Sequence, residues 1–401
     1  MSLISPWRAD FPGILALEAE GQTYLDSAAT AQKPQPMLDA LLGYYGSGAA
    51  NVHRAQHLPG ERATRAFEAT REKAAHWLNA GDATQIVFTR SATEAFNLLA
   101  YGLEGEFQAG DELVISTLEH HANLLPWQQL ALRRQLKLVV LPLDSSGLID
   151  LDQAAQLIGP RTKLLAVSQL SNVLGCWQPV SQLLALGKAQ GALTVVDGTQ
   201  GVVHDRHDLQ ALGCDFYICS SHKLYGPDGV GLLYGRAPAL QRLRHWQFGG
   251  EMLLHTDFYN ATFRDAPLGF EAGTPPIASV IALGASLDYL AALDSSAVKA
   301  HEARLHNKLL AGLSLRQGVR LLGEPRVALA SFVVEGVHNA DLAQLLTEQG
   351  IAVRAGHHCA MPLLQSLGLS GAIRVSLGLY NDSSDLERFF AALDQALELL
   401  Q

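Results

Sequence analysis

The chain has 401 residues, 48% of them apolar, enough to bury a large core and to build two domains or one large and one small. Its formal charge is −10 and its 29 basic residues form no run, which excludes the basic patches that nucleic acid and anionic membranes require. No stretch is apolar for long enough to span a bilayer, and the first eight residues lack the charged-then-apolar pattern of a signal peptide, so a soluble cytoplasmic protein is expected.

Strand and helix patterns then alternate along the chain. A helix over Arg62–Leu78 precedes a strand at Gln85–Thr89. The turn Arg90-Ser91-Ala92-Thr93 follows, and a helix begins there; its backbone N–H groups at Ala92 and Thr93, with the Thr93 hydroxyl, suit either an ordinary N-cap or a phosphate. The strand Glu112–Ser116 leads to Glu119-His120-His121-Ala122-Asn123, where an imidazole could stack on a ring and exchange protons with a substrate. Further strands fall at Lys137–Leu141, Leu164–Ser168, Thr194–Asp197, Phe216–Cys219 and Gly231–Tyr234, with a helix at Ser181–Gln190 among them. Most are apolar runs without strict alternation, as in strands covered on both faces, so an α/β domain with a largely parallel, seven-stranded sheet is predicted. Ligands in such sheets sit beyond the carboxyl ends of the strands.

Two of those ends carry unusual groups. Asp197 closes one strand, and Ser220-Ser221-His222-Lys223 closes the next. An ammonium at the end of a buried strand is costly unless paired or neutralised, and condensation with an aldehyde removes the cost. Either residue alone reads as a surface lysine or a helix-capping aspartate. Together they match the needs of pyridoxal 5'-phosphate: a lysine for the aldehyde and a carboxylate for the ring nitrogen. Ser220 and His222 are further phosphate candidates.

Residues 244 to 275 are rich in Gly, Phe and polar residues with little periodicity, as in an active-site or interface excursion. Beyond them come helices at Ile277–Leu293, Ala297–Leu315, Ala340–Gln349 and Ser384–Leu400, with short strands at Ala328–Val334, Ile351–Arg354 and Ala372–Ser376. This reads as a smaller α+β domain. Arg374 interrupts an apolar strand and suits a substrate carboxylate or a structural salt bridge. Arg354-Ala355-Gly356-His357-His358-Cys359-Ala360 surrounds a thiol with basic groups, which favours thiolate; a buried Cys in a turn is the plainer alternative. Adjacent histidines rarely point at one ion, so no metal site is expected. The other cysteines, Cys176, Cys214 and Cys219, show no pairing pattern and are expected as free thiols, with Cys214 and Cys219 on opposite faces of one strand.

Taken with Tyr24-Leu25-Asp26-Ser27-Ala28-Ala29-Thr30, Asn51-Val52-His53-Arg54, Ser171-Asn172-Val173-Leu174-Gly175, Asp197-Gly198-Thr199-Gln200 and Glu271-Ala272-Gly273-Thr274-Pro275, these segments resemble the group II cysteine desulfurases. These are the selenocysteine lyase/cysteine desulfurase enzymes of the Suf and Csd type, class V aminotransferase-like enzymes of pyridoxal phosphate fold type I. The resemblance implies a large domain over residues 20 to 276 and a smaller one over 277 to 401, joined by segment 1 to 19. It implies that Lys223 links to the cofactor aldehyde, Asp197 holds the ring nitrogen, Gln200 the ring hydroxyl, and His120 stacks on the ring. Ala92, Thr93, Ser220 and His222 match phosphate contacts, and Thr274 matches one delivered by a second subunit, so a homodimer is implied. Asn172, Arg354, Arg374, His53 and Ala28 match substrate-side positions, and Cys359 the nucleophile that carries a persulfide. The activity implied is conversion of L-cysteine to L-alanine, with sulfur passed to an acceptor protein for iron–sulfur cluster assembly or another sulfur-transfer pathway. Selenocysteine and cysteine sulfinate remain alternative substrates, and a transaminase or kynureninase-like reaction remains an alternative chemistry. Ser221 and Asp228 depart from the family pattern, which carries Gly and Thr there.

Overall fold

The computed structural model describes residues 4 to 54 and 56 to 400. Seven strands, β1 (Ile86–Thr89), β2 (Glu112–Ser116), β3 (Lys137–Leu141), β4 (Thr162–Ser168), β5 (Leu193–Asp197), β6 (Phe216–Ser220) and β7 (Gly231–Gly235), form one sheet in the order β1-β7-β6-β5-β4-β2-β3. Six run in one direction, and β7 alone runs against both its neighbours. All seven strands predicted from the sequence are present. β1, β2, β5, β6 and β7 are buried at every position, which is why their sequences are continuous apolar runs.

Helices cover both faces. Phe216 and Ile218 pack with Phe96 of α3 (Ala92–Gly102) and Trp127 of α4 (His121–Arg134). Tyr217 and Cys219 pack oppositely, with Phe67 of α2 (Leu58–Trp77) and Val280, Leu283 and Leu287 of α6 (Ile277–Ala292). The remaining helices used below are α1 (Gln35–Gly46), α5 (Val180–Ala189), α7 (Ser295–Ser314), α8 (Asn339–Glu348), α9 (Met361–Ser366) and α10 (Ser383–Leu400). α6 opens the segment expected as the smaller domain, yet its apolar side chains are buried in the core of the large sheet. Cys214 and Cys219 share that core instead of facing apart, because the strand's alternation begins only at Phe216.

A second sheet of four antiparallel strands follows: β8 (Val319–Leu321), β9 (Leu329–Val334), β10 (Arg354–Gly356) and β11 (Ala372–Ser376), in the order β8-β9-β11-β10. α7, α8 and α10 close its outer face through Leu309, Leu346 and Phe389. The single strand expected at Ile351–Arg354 is two: Ile351–Ala352 pairs with Thr23–Tyr24, and β10 turns off to pair with β11. α9 and Ala372 of β11 pack against Leu165 and Val167 of β4 in one cluster, so the second sheet abuts the large one where β4 ends. Residues 244 to 275 carry an exposed hairpin, Leu253–Thr256 with Ala261–Phe263, whose few buried positions gave no readable alternation. Among the described residues, no single helix is long and apolar enough to cross a membrane.

One buried charge ties the N-terminal half to this excursion. The Arg71 side chain, 2% exposed, forks onto both carboxylate oxygens of Glu271 (2.6 and 2.9 Å), donates to Glu68 (2.8 Å) and to the Ile86 carbonyl (2.9 Å). Glu271 also accepts the Phe88 N–H at 2.7 Å. Removing one partner of such a pair leaves the other charge buried and uncompensated, at a cost of about 3 to 5 kcal/mol. Arg71→Met should lose stability on that scale in urea denaturation; a loss below about 1 kcal/mol would show the pair to be dispensable.

Candidate active site

The parallel strands deliver their carboxyl ends to one edge, and a cavity of about 220 Å³ lies beyond it. Its wall contains Ser168 from the end of β4, Asp197 from the end of β5 and Ser220 from the end of β6, with Lys223 in the 3-10 turn just after. The second sheet closes the other side with Arg354, His358, Cys359 and Arg374, and the N-terminal segment adds Ala28.

Lys223 has no hydrogen-bond or ion-pair partner among the described residues. Burial lowers its pKa to about 8, helped by the nearby Arg374 cation and opposed by Asp197. The turn that aims it is held from behind: the His222 carbonyl accepts from the Ala31 N–H (3.0 Å), the Thr30 hydroxyl (3.2 Å) and the Lys33 ammonium (3.0 Å). Ser221, where the family pattern has Gly, donates its hydroxyl to the Pro227 carbonyl at 2.8 Å and so closes the loop by a side-chain bond. Asp197 accepts the Thr199 N–H on one oxygen (2.9 Å); burial raises its pKa, and the Thr199 contacts and Lys223 pull the other way. A buried carboxylate so placed gains from a cationic N–H donor in the cavity.

His120 is the N-cap of α4, and its Nδ1 accepts the Ala122 N–H at 3.1 Å, so the neutral ring carries its proton on Nε2. Burial, and after it the Lys223 charge, lowers its pKa to about 3, which keeps it neutral. Beneath it lies a group to which no role was assigned from the sequence. Glu119 is fully buried, accepts from Ser168 Oγ (2.7 Å), the Ser168 N–H (3.1 Å), Ser116 Oγ and Asn123 Nδ2, and so pins the start of α4 to the ends of β2 and β4. Burial raises its pKa to about 7.

The start of α3 supplies the anion cradle. Ser91 caps it by accepting the Glu94 N–H (3.1 Å), and the Glu94 carboxylate turns back to the Arg90 N–H. Ser220 Oγ accepts the Ala92 N–H at 2.9 Å, which leaves the serine proton free to donate. Thr93 is exposed at the cavity rim, and His222, its pKa lowered to about 4 by burial and by Lys223, stands opposite as a neutral donor. Gly231 permits this approach: a Cβ there would meet the Ser91 carbonyl carbon at 2.4 Å.

On the far wall, Arg354 and Arg374 face each other across β10 and β11. Like charges in register repel unless an anion lies between them. Arg374 donates to Asp26 Oδ1 (3.0 Å) and to the Asn172 carbonyl (3.0 Å), while its buried Nε has no partner among the described residues. The salt-bridge reading of Arg374 is thus met by Asp26, and a guanidinium donor is left over beside the cavity. Cys359 and His358 have left-handed φ angles of 55° and 51°, and Asn172 Nδ2 holds the His358 carbonyl at 2.8 Å. Gln200 donates to the Ala28 carbonyl at 3.0 Å.

Two expected site residues lie elsewhere. His53 bonds Glu68 at 2.8 Å and packs edge-on to Phe67, in the Arg71 network and away from the cavity. Thr274 is exposed, in a separate depression beside Thr89, Arg90 and Glu94. Asp26 went unassigned because its partner Arg374 is distant in sequence, and Glu119 because its burial depends on the equally unpredictable meeting with Ser168; Arg374 signalled only that some counter-charge must exist.

The residues present fit pyridoxal phosphate: an unpartnered amine of lowered pKa, a buried carboxylate one strand away, a neutral imidazole lining the same cavity, and a cradle of N–H and O–H donors. Pyridoxal phosphate added to the cofactor-free protein and fixed with borohydride should be found on Lys223 by peptide mapping. Because the neutral amine reacts and burial lowers its pKa, incorporation should rise with pH and reach half its maximum near 8. A half-rise above 10 would mean an ordinary, solvated lysine.

The family model for class-V aminotransferases matches residues 23 to 389. The chain is 74% identical over 397 residues to a probable cysteine desulfurase of Pseudomonas putida, covering 99% of each, and 69% identical over 401 residues to one of Pseudomonas aeruginosa, covering 100% of each. It is similar to the solved structure of the Escherichia coli cysteine desulfurase CsdA in its S-sulfonic acid form, with a TM-score of 0.93, 42% identity and 98% of each chain covered.

Proposed function

The chain belongs to the class-V aminotransferase family and, within it, to the cysteine desulfurases, and we propose that Lys223 and Cys359 are the two groups through which it takes sulfur from L-cysteine. It is an enzyme with pyridoxal 5'-phosphate as cofactor, acting on L-cysteine to give L-alanine. The observation that supports the residue assignment is the opening of both side chains onto one cavity, with Asp197 behind and two arginines in front.

When bound, the cofactor supplies an aldehyde that condenses with amines and a protonated ring that draws electrons from Cα. Asp197 would hold that ring's N–H, and Thr93, Ser220 and His222 would hold the phosphate, the Ala92 N–H expected there being already given to Ser220 Oγ. Arg374, through its free Nε, and Arg354 bind the substrate carboxylate, which places its sulfur toward Cys359. Lys223 takes the α-proton; with a pKa of about 8, roughly a tenth of it is neutral at pH 7, against under a thousandth for an ordinary lysine. The Cys359 sulfur bonds the substrate sulfur as the carbon–sulfur bond breaks. The electron pair stays with the carbon, which gains a proton, so alanine leaves and Cys359 keeps a persulfide.

The proposal extends to assembly and context. The seven-stranded sheet serves as the cofactor-binding unit, and the four-stranded sheet brings Cys359 and Arg374 against it. Thr274, exposed and outside its own cavity, serves the phosphate cradle of a second copy in a homodimer. The half-exposed Cys359 hands its sulfur to an acceptor protein. The cytoplasm suits four cysteines that are all unpaired, and a charge of −10 suits neither nucleic acid nor anionic membrane as partner.

Cys359→Ala should lower sulfide and alanine formation from cysteine at least 100-fold while leaving the visible band of the loaded protein in place. Activity with cysteine within a few-fold of the parent would overturn the nucleophile assignment. Arg374→Lys should raise KM for cysteine at least tenfold, because the fork geometry is lost while the charge remains; an unchanged KM would remove Arg374 from substrate binding.

A further inference from the structure

We propose that His121 is a positioning residue for Cys359: it holds the thiol's strained turn against the start of α4 without lining the catalytic cavity. The proposal rests on the reading of Cys359 as nucleophile. Two consecutive residues with side chains, His358 and Cys359, have φ angles of 51° and 55°. A left-handed conformation is strained for a residue other than glycine and persists only where the surroundings impose it.

The restraints come from two sides. From the sheets, Asn172 Nδ2 donates to the His358 carbonyl at 2.8 Å, and the His358 ring bonds the Ala372 carbonyl at 3.0 Å. These fix the residue before the thiol. From α4, among the described residues, His121 alone brackets the thiol residue itself. Its backbone N–H donates to the Cys359 carbonyl at 2.7 Å, and its ring Nε2 accepts the Met361 N–H at 3.2 Å. That N–H is the first of α9, whose N-cap is Ala360 and offers no side-chain acceptor. The His121 ring therefore stands in for the missing cap.

The geometry has a consequence for the reaction. His120 and His121 are the cap and first residue of one helix, itself pinned by Glu119. One helix start thus sets both the imidazole over the ring site and the turn that presents the sulfur nucleophile. Loss of the ring at 121 removes one of these restraints and leaves His120, Lys223 and Asp197 untouched.

The test compares the loaded full-length protein with its His121→Ala and His121→Gln variants. Alanine formation is measured from cysteine, which needs thiol attack, and from cysteine sulfinate, whose sulfur leaves as sulfite without a nucleophile. Alkylation of Cys359 by iodoacetamide is followed in parallel by peptide mass. His121→Ala should lower the cysteine rate at least tenfold, keep the sulfinate rate within twofold, and change the alkylation rate at least threefold. His121→Gln, whose amide oxygen can accept the Met361 N–H, should recover most of both changes. Equal loss on both substrates, or an unchanged alkylation rate, overturns the proposal. The alkylation arm decides by itself if the sulfinate is not turned over. A parent protein that makes no alanine from cysteine would instead sink the desulfurase reading, and the alkylation result would still judge the His121 clamp.

Discussion

The amine of Lys223 and the carboxylate of Asp197 stand at the ends of adjacent strands, withdrawn from bulk water. Each charge is expensive there without a partner, and the pair is not in direct contact. Much of the surrounding structure compensates. Thr199 holds one oxygen of Asp197, three donors freeze the peptide before Lys223, and the cavity leaves both groups facing a common space. A ligand that neutralises the amine and offers a cationic N–H to the carboxylate completes that arrangement.

The direction of the strands makes the arrangement possible. Six strands running one way bring Ser116, Ser168, Asp197 and Ser220 to a single edge. The reversed β7 contributes differently: it starts at that edge with Gly231, whose missing side chain lets the N-terminus of α3 approach Ser220. The proposed phosphate cradle is thus a product of topology as much as of the serine and threonine side chains in it. The second sheet adds the opposite polarity. Arg354 and Arg374 stand in register there, and Asp26 bonds only part of one guanidinium.

Much of this was legible in the sequence, and the reasons differ by region. The buried strands announced themselves as apolar runs because both faces are covered. α7 and α10 were readable because each has a polar face. Lys223 and Asp197 stood out as charged types closing buried apolar strands, and Cys359 as a thiol among basic neighbours. The exposed hairpin after Leu253 was not readable, because burial writes little pattern into it. The division of Ile351–Arg354 between two sheets was hidden too, since a bend leaves no mark in composition.

The order of apolar runs and the residue types at their ends determined, without coordinates, an α/β sheet, a lysine and an aspartate at neighbouring strand ends, and a cysteine among basic groups in a separate segment. Those features depend on local chemistry, which a linear chain states directly. Tertiary structure alone decided that Asp26 meets Arg374 across 348 positions, that Glu119 meets Ser168, that His53 belongs to the Arg71 network, and that His121 brackets Cys359. Each is a pairing between distant segments, set by how two sheets pack at one edge, and no periodicity along the chain encodes which buried charge meets which.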